Sequence, residues 1–276
     1  MRAAELAFLG GIVLATPLTA HGHEMWLEPK AFTLGAGEKL VADIIVGDDF
    51  TGTTYSYQPR NLTRFEIFED GEVRGLASET GQKPAVSEAS LTEGLTVLIY
   101  HSATLVTAYR SFEKFERFLA QKGIEWAAET HRERGLPNER FREAYSRYSK
   151  SLIGVGDADG QDRSFDLLTE FIALENPYTD DLSDGFDVSL FYQGEPRANA
   201  QVEIFSRIGK DGDVERTTVR TDQNGKATIP VEAGRTYLID SVVMREPTLE
   251  LEAEINVVWE SLWASMTFEA PTALNQ

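Results

Sequence analysis

The chain of 276 residues has no cysteine. Disulfides and thiolate metal sites are therefore excluded, so a metal would have to be held by histidine, carboxylate, backbone or water. Histidine is scarce too, with four in all: His21, His23, His101 and His131. Basic residues are outnumbered, 26 Lys and Arg against 45 Asp and Glu, for a formal charge of −19. That balance argues against nucleic acid and anionic membrane surfaces, both of which require basic patches. After Leu18 no apolar run approaches the ~18 residues of a membrane helix. No Ser-His-Asp order, paired-carboxylate motif or phosphate loop stands out, and an enzyme is not expected.

What is present begins with the leader. An apolar run from Leu6 to Leu18 follows a single Arg2 and ends in small residues. This is the pattern of a secretory signal over residues 1–22, and it predicts a periplasmic or secreted protein that does not span the membrane after processing. Cleavage after Ala20 leaves His21 first, and cleavage after Gly22 leaves His23 first. Removing residues 1–22 takes away Arg2 and Glu5, one charge of each sign, so the mature charge is unchanged. Either cut places a histidine at the new amino terminus, where its amine and imidazole can chelate one ion. Such nitrogens suit nickel, cobalt, copper or zinc.

The rest of the chain reads as mainly β. Lys39–Val46 is an apolar-rich run between glycines, Arg64–Phe68 alternates with period two, and Asp70-Gly71 marks a turn. Thr96–Tyr100 is β-branched and aromatic and leads into His101. These strands predict an antiparallel sandwich over residues 23–110. At Ser111, a candidate N-cap, the period becomes helical through Phe112, Phe115 and Leu119, with Gly123 as the stop. Ile124–Arg134 is a second helical stretch, ended by Gly135-Leu136-Pro137. A third helix is expected from Asn138, stacking Phe141, Tyr145, Tyr148 and Leu152. Residues 111–153 are therefore expected to form a helical insert. The Gly- and Asp-rich stretch 154–166 invites calcium, but Leu168 falls where an EF-hand needs an acid. Strands at Leu167–Leu174, Phe186–Tyr192, Gln201–Ser206, Thr236–Met244 and Trp263–Phe268 predict a second antiparallel, immunoglobulin-like or transthyretin-like sandwich over residues 165–270. Within it, Thr218–Thr221 and Ala227–Pro230 are expected to pair as a hairpin about Asp222–Gly225.

The opening His23-Glu24-Met25-Trp26-Leu27-Glu28-Pro29 resembles the mature start of the bacterial domain-of-unknown-function family numbered 4198. The segments Glu129–Pro137, Thr221–Ala227 and Val258–Phe268 also match what that family shows. The resemblance covers essentially the whole mature chain. It implies an exported protein associated with nickel or cobalt uptake, NikM-like, with a transthyretin-like or carboxypeptidase-regulatory-like C-terminal part. Many members carry a histidine after the Val-Gly pair, where this chain has Asp48-Asp49 after Val46-Gly47.

The candidate metal ligands are His23, with its amine and ring, His101, and His131 or Asp48. Glu24 is a candidate to steady the terminal imidazole. Three readings follow. One is an exported divalent-metal-binding accessory of a membrane transporter complex for nickel, cobalt or copper. Another is a metal-free two-sandwich interaction module of a membrane complex. The third is a terminal-histidine copper oxidase, which would require two braced imidazoles and a flat aromatic face.

Overall fold

A computed structural model describes residues 23–88 and 91–272; the leader, its cleavage points and His21 lie outside the described residues. The first half forms β1 (Glu24–Pro29), β2 (Thr33–Leu34), β3 (Leu40–Asp48), β4 (Thr51–Tyr55), β5 (Leu62–Glu69), β6 (Glu72–Gly75), β7 (Val86–Glu88), β8 (Gly94–Ser102) and β9 (Leu105–Tyr109). Helices α1 (Phe112–Lys122) and α2 (Trp126–Glu133) follow, and then the long strand β10 (Phe141–Val155). The second half forms β11 (Thr169–Ala173), β12 (Phe186–Tyr192), β13 (Glu195–Pro196), β14 (Gln201–Arg207), β15 (Glu215–Arg220), β16 (Lys226–Ile229), β17 (Thr236–Arg245), α3 (Leu249–Ile255) and β18 (Trp259–Glu269).

The protein is mainly β, as its alternating patterns require, with three sheets in layers. A ten-stranded sheet runs β15-β14-β17-β18-β10-β8-β5-β6, with β2 and β9 also on β10. Strands of both halves thus share one sheet. The join is the parallel pairing of Glu143–Ser151 on β10 with Trp259–Thr267 on β18. Side-chain alternation sends successive residues of this sheet to opposite faces. Val97 and Ile99 of β8 and Tyr148 and Leu152 of β10 pack toward the small sheet of β11, β12, β13 and β16. Leu98 and Tyr100 of β8 and Ile153 and Val155 of β10 pack the other way, toward the sheet of β1, β3, β4 and β7. The helices cover a third, aromatic core of Phe115, Phe118, Phe141, Trp259 and Trp263.

Two expectations are corrected. The helix expected from Asn138 is strand β10. Tyr148 and Leu152 do share a core, but Ile153 and Val155 are equally buried on the reverse face, and serines fill the sites between. A strand buried on both sides loses its period-two signature, and the aromatic spacing then imitates a helix. The helical insert accordingly ends near Glu133, where α2 ends. The hairpin expected over Thr218–Pro230 is also absent. β15 pairs with β14 in the large sheet, while β16 pairs with β12 in the small one. Asp222-Gln223-Asn224-Gly225 therefore crosses between layers, held by Asp222 Oδ1 accepting from the amides of Asn224 and Lys226. Helix α3 was not anticipated. Thr248 caps it by accepting from the Leu251 amide, and Asn256 ends it in the left-handed region.

Strand β1 deserves its position from both sides. One edge pairs antiparallel with β3, from Glu24 opposite Gly47 to Pro29 opposite Ala42. On the other edge the Met25 and Leu27 carbonyls accept from the hydroxyls of Ser265 (2.8 Å) and Thr267 (2.7 Å) on β18. Those hydroxyls also meet Ser149 and Ser151 of β10. Side chains thus satisfy backbone groups that would otherwise be buried without partners.

The β3–β4 turn is tight. Asp49 and Phe50 both have positive φ, 49° and 55°. Phe50 tolerates this because its ring is buried edge-on against Trp26, with the Arg207 guanidinium 4.0 Å above it. At Gly47 an added Cβ would lie 2.0 Å from the Thr51 carbonyl oxygen. Gly47→Ala should therefore open the turn and cost about 1–3 kcal/mol, read as a lower denaturation midpoint in urea.

Candidate metal site at the amino-terminal strand

His23 immediately precedes β1, and Asp48 is the last residue of β3. The antiparallel register that sets Glu24 against Gly47 brings their neighbours together. His23 Nδ1 lies 2.8 Å from Asp48 Oδ1, and both side chains are about two-fifths exposed. An ionised carboxylate only accepts, so Nδ1 donates in this contact. The His23 carbonyl is fixed by the Arg147 guanidinium at 2.9 Å. Two ligand atoms each ~2.1 Å from an ion at right angles stand about 3 Å apart. The nitrogen and oxygen here already have that spacing. An ion replacing the shared proton would sit off the line between them, so the ring must turn to aim its nitrogen at it.

The structure does not bring the other two imidazoles to this pair. His101, at the end of β8, stacks on Tyr148 with ring centroids 4.4 Å apart. Burial, aided by the Arg64 charge, holds its pKa below the usual imidazole value. His131 is fully buried. Its ring sits 4.8 Å from Phe112 and 4.6 Å from Phe141. Nδ1 accepts from the Trp259 indole N–H at 3.0 Å, and Nε2–H donates to the Pro137 carbonyl at 3.1 Å. Neither nitrogen remains for an ion, and burial lowers its pKa as well. The expected four-ligand set thus reduces to His23 and Asp48. Phe112, Phe115 and Trp259 wrap around the ring.

Glu24 points away from the imidazole into a buried cluster that the sequence reading missed. Its Oε1 accepts from Lys122 Nζ at 2.7 Å, and Asp240 Oδ2 accepts from the same ammonium at 2.9 Å. Glu203 makes the third carboxylate contact, and it also pairs with Arg216. All four cluster residues are essentially without solvent exposure. The Trp263 ring lies 4.7 Å from Nζ. Oxygens of Glu24, Glu203 and Asp240 fall within 4.8 Å of one another, a spacing compatible with an ion. The Lys122 ammonium already fills that role. Three carboxylates exceed the local positive charge, and two oxygens, Glu24 Oε2 and Asp240 Oδ1, have no hydrogen-bond partner. Burial pushes the Asp240 pKa up to about 7, against the pull of Lys122, and it also raises that of Glu24. Lys122 was legible in principle. It follows Phe115, Phe118 and Leu119 at helical spacing on the buried face of α1.

Two further buried acids follow the same logic. Glu28 accepts from the Trp26 indole N–H and from Arg207, each at 2.8 Å, while Arg207 also donates to the Phe50 carbonyl. Glu143 accepts from the hydroxyls of Tyr109 and Ser261, and burial pushes its pKa up to about 7. In the Gly- and Asp-rich stretch, Asp162 is buried on Lys150 at 2.6 Å, which makes it a structural counter-ion.

Layered sheets, a buried amino-terminal strand and a carboxylate–imidazole pair at its tip define a mainly β protein with a polar site at one sheet end. The chain belongs to the family described as Domain of unknown function (DUF4198), whose model matches residues 20–245. No curated protein matches it. Among solved structures, trypsin-activated alpha-2-macroglobulin from Escherichia coli is similar over 92% of this chain and 16% of that one, at 9% identity and a TM-score of 0.25. A likeness that weak carries no argument.

Lys122→Met should leave Glu24 and Asp240 without a cation, with Glu203 keeping only Arg216, and cost about 3–5 kcal/mol, measured by urea unfolding at neutral pH. Glu143 has its native pKa raised from 4.5 to about 7, so the folded state holds the extra proton between those values. Stability from this group is present below pH 4.5 and is lost as pH rises toward 7. Glu143→Gln should remove that loss. Its stability relative to the parent should rise between pH 5 and pH 8, by at most about 3 kcal/mol.

Proposed function

We propose that the chain is an exported binding protein for a divalent transition metal, nickel, cobalt or copper, held at the amino terminus by His23 and Asp48. The observation that carries this reading is the 2.8 Å approach of a half-exposed imidazole nitrogen to a half-exposed carboxylate. Leader cleavage after Gly22 frees the His23 amine beside its own ring nitrogen. Amine, Nδ1 and Asp48 carboxylate then offer three donors on one ion, and solvent or a delivering partner supplies the rest. Where the family resemblance implies an imidazole, the carboxylate of Asp48 adds negative charge and hardens the donor set. The ligands sit at the rim of the fold rather than inside it, which suits an ion that is taken up and handed on. Delivery to a membrane transport complex is the role the family resemblance supports. Among the described residues no helix is long and apolar enough to cross a membrane.

The test uses exported protein whose intact mass shows His23 as its first residue. Nickel, cobalt and copper are titrated calorimetrically into it, into the same protein with one extra residue ahead of His23, and into Asp48→Ala. One ion per chain is expected, with affinity reduced about 10–100-fold in both altered forms. Unchanged affinity in both would dismiss the terminal site and leave the metal-free interaction module.

A further inference from the structure

A second site lies on the far side of Lys122. A pocket of about 310 Å³ opens between the end of α1 and the strands β14 and β17, and Trp126, Arg197, Asn199, Gln201 and Arg220 are among its walls. Lys122 forms part of its floor. No Asp or Glu lines it, although the chain has 45 acidic residues and 26 basic ones.

The two arginines are the telling groups. Several arginines elsewhere collect acids: Arg74 holds Glu69 and Glu88, Arg216 holds Asp49 and Glu203, and Arg235 holds Glu215 and Glu232, whereas Arg142 and Arg147 donate to backbone carbonyls. Among the described residues, neither Arg197 nor Arg220 has a carboxylate partner. Arg197 donates only to the neutral Ser241 hydroxyl at 3.1 Å and the Val242 carbonyl at 2.9 Å. Arg220 donates to the Asn199 carbonyl at 2.7 Å. Burial lowers the Arg197 pKa to about 10, against the pull of the nearby Asp240 carboxylate. A guanidinium aligned by neutral acceptors keeps N–H groups for a planar anion, which it can grip through two parallel hydrogen bonds.

Trp126 lines the same pocket. Its indole is 52% exposed, one of the few large apolar side chains left open. It is not loose, because it meets Trp259 edge-on, with centroids 6.1 Å apart at 76°. A fixed, open aromatic face beside unpaired guanidinium groups fits a ligand with a flat body and an anionic end. The volume matches one ring with its substituents.

We infer that this pocket binds a small organic carboxylate, its ring lying on Trp126 and its anionic end on Arg197 and Arg220. An aromatic acid and a uronic acid present the same chemistry, and direct binding separates them. Benzoate and glucuronate are titrated into the full-length processed chain by calorimetry, with benzamide and glucose as neutral counterparts and inorganic phosphate as the bare anion. Saturable binding is expected from one of the two acids, with its neutral counterpart at least about tenfold weaker. Arg220→Gln, a change at an exposed side chain, should weaken the acid about tenfold. Trp126→Phe should abolish the accompanying change in tryptophan fluorescence. The inference fails if neither acid binds, if the neutral partners or phosphate bind as tightly, or if Arg220→Gln and Arg197→Gln both leave affinity unchanged. The circular dichroism of each variant establishes that it is folded.

Discussion

Everything in this fold leans on the burial of a strand that carries two carboxylates. Glu24 and Glu28 lie on the same side of β1, and each enters the interior only because a cation from a distant element meets it there. Lys122 arrives from the end of α1, 98 residues away, and Arg207 from β14, 179 residues away. Removing ions from water costs several kcal/mol apiece, and only close partners offset it. The two pairs therefore tie the first strand to the helices and to the second half of the chain. On the reverse side Met25 and Leu27 enter an apolar core with Leu40, Leu98 and Ile153. The short motif is thus a structural plug as well as the support for the residue before it.

The same arrangement is why the proposed metal site falls at the tip of β1 and not among the buried acids. Inside, the carboxylates already surround an ammonium, and a second cation would have to share its place. At the tip, His23 and Asp48 are half in solvent, where desolvation is modest and an ion can enter. The excess of buried negative charge has a second consequence. Asp240 and Glu143 are both held near neutral pKa by burial, so the interior is sensitive to the pH range in which many other acids are already ionised.

Much was readable beforehand. The strand runs at Arg64–Phe68 and Phe186–Tyr192 alternate because one face is covered, and they are strands as expected. Ser111 and Gly123 bound α1 as expected, although Ser111 makes no side-chain cap bond. His23 and Asp48 were both named from local pattern, a cleavage region and a strand end. Strand β10 was misread because both its faces are buried, a condition that depends on what packs against it. His131 was misread for a related reason. Its charged neighbours Arg132 and Arg134 lie on the solvent side of α2, where they stack over Phe112 and Trp259.

By itself the sequence determined the β-rich class, the absence of disulfides, the acidic character and the place of the amino-terminal motif, since composition and short-range periodicity are properties of neighbours in the chain. Tertiary structure alone decided that one sheet joins both halves, that Lys122 faces three acids, that Asp48 rather than a second imidazole meets His23, and that two arginines share a pocket without a carboxylate. Those are pairings between residues far apart in sequence. They depend on register and on which face is buried, and no local window carries that information.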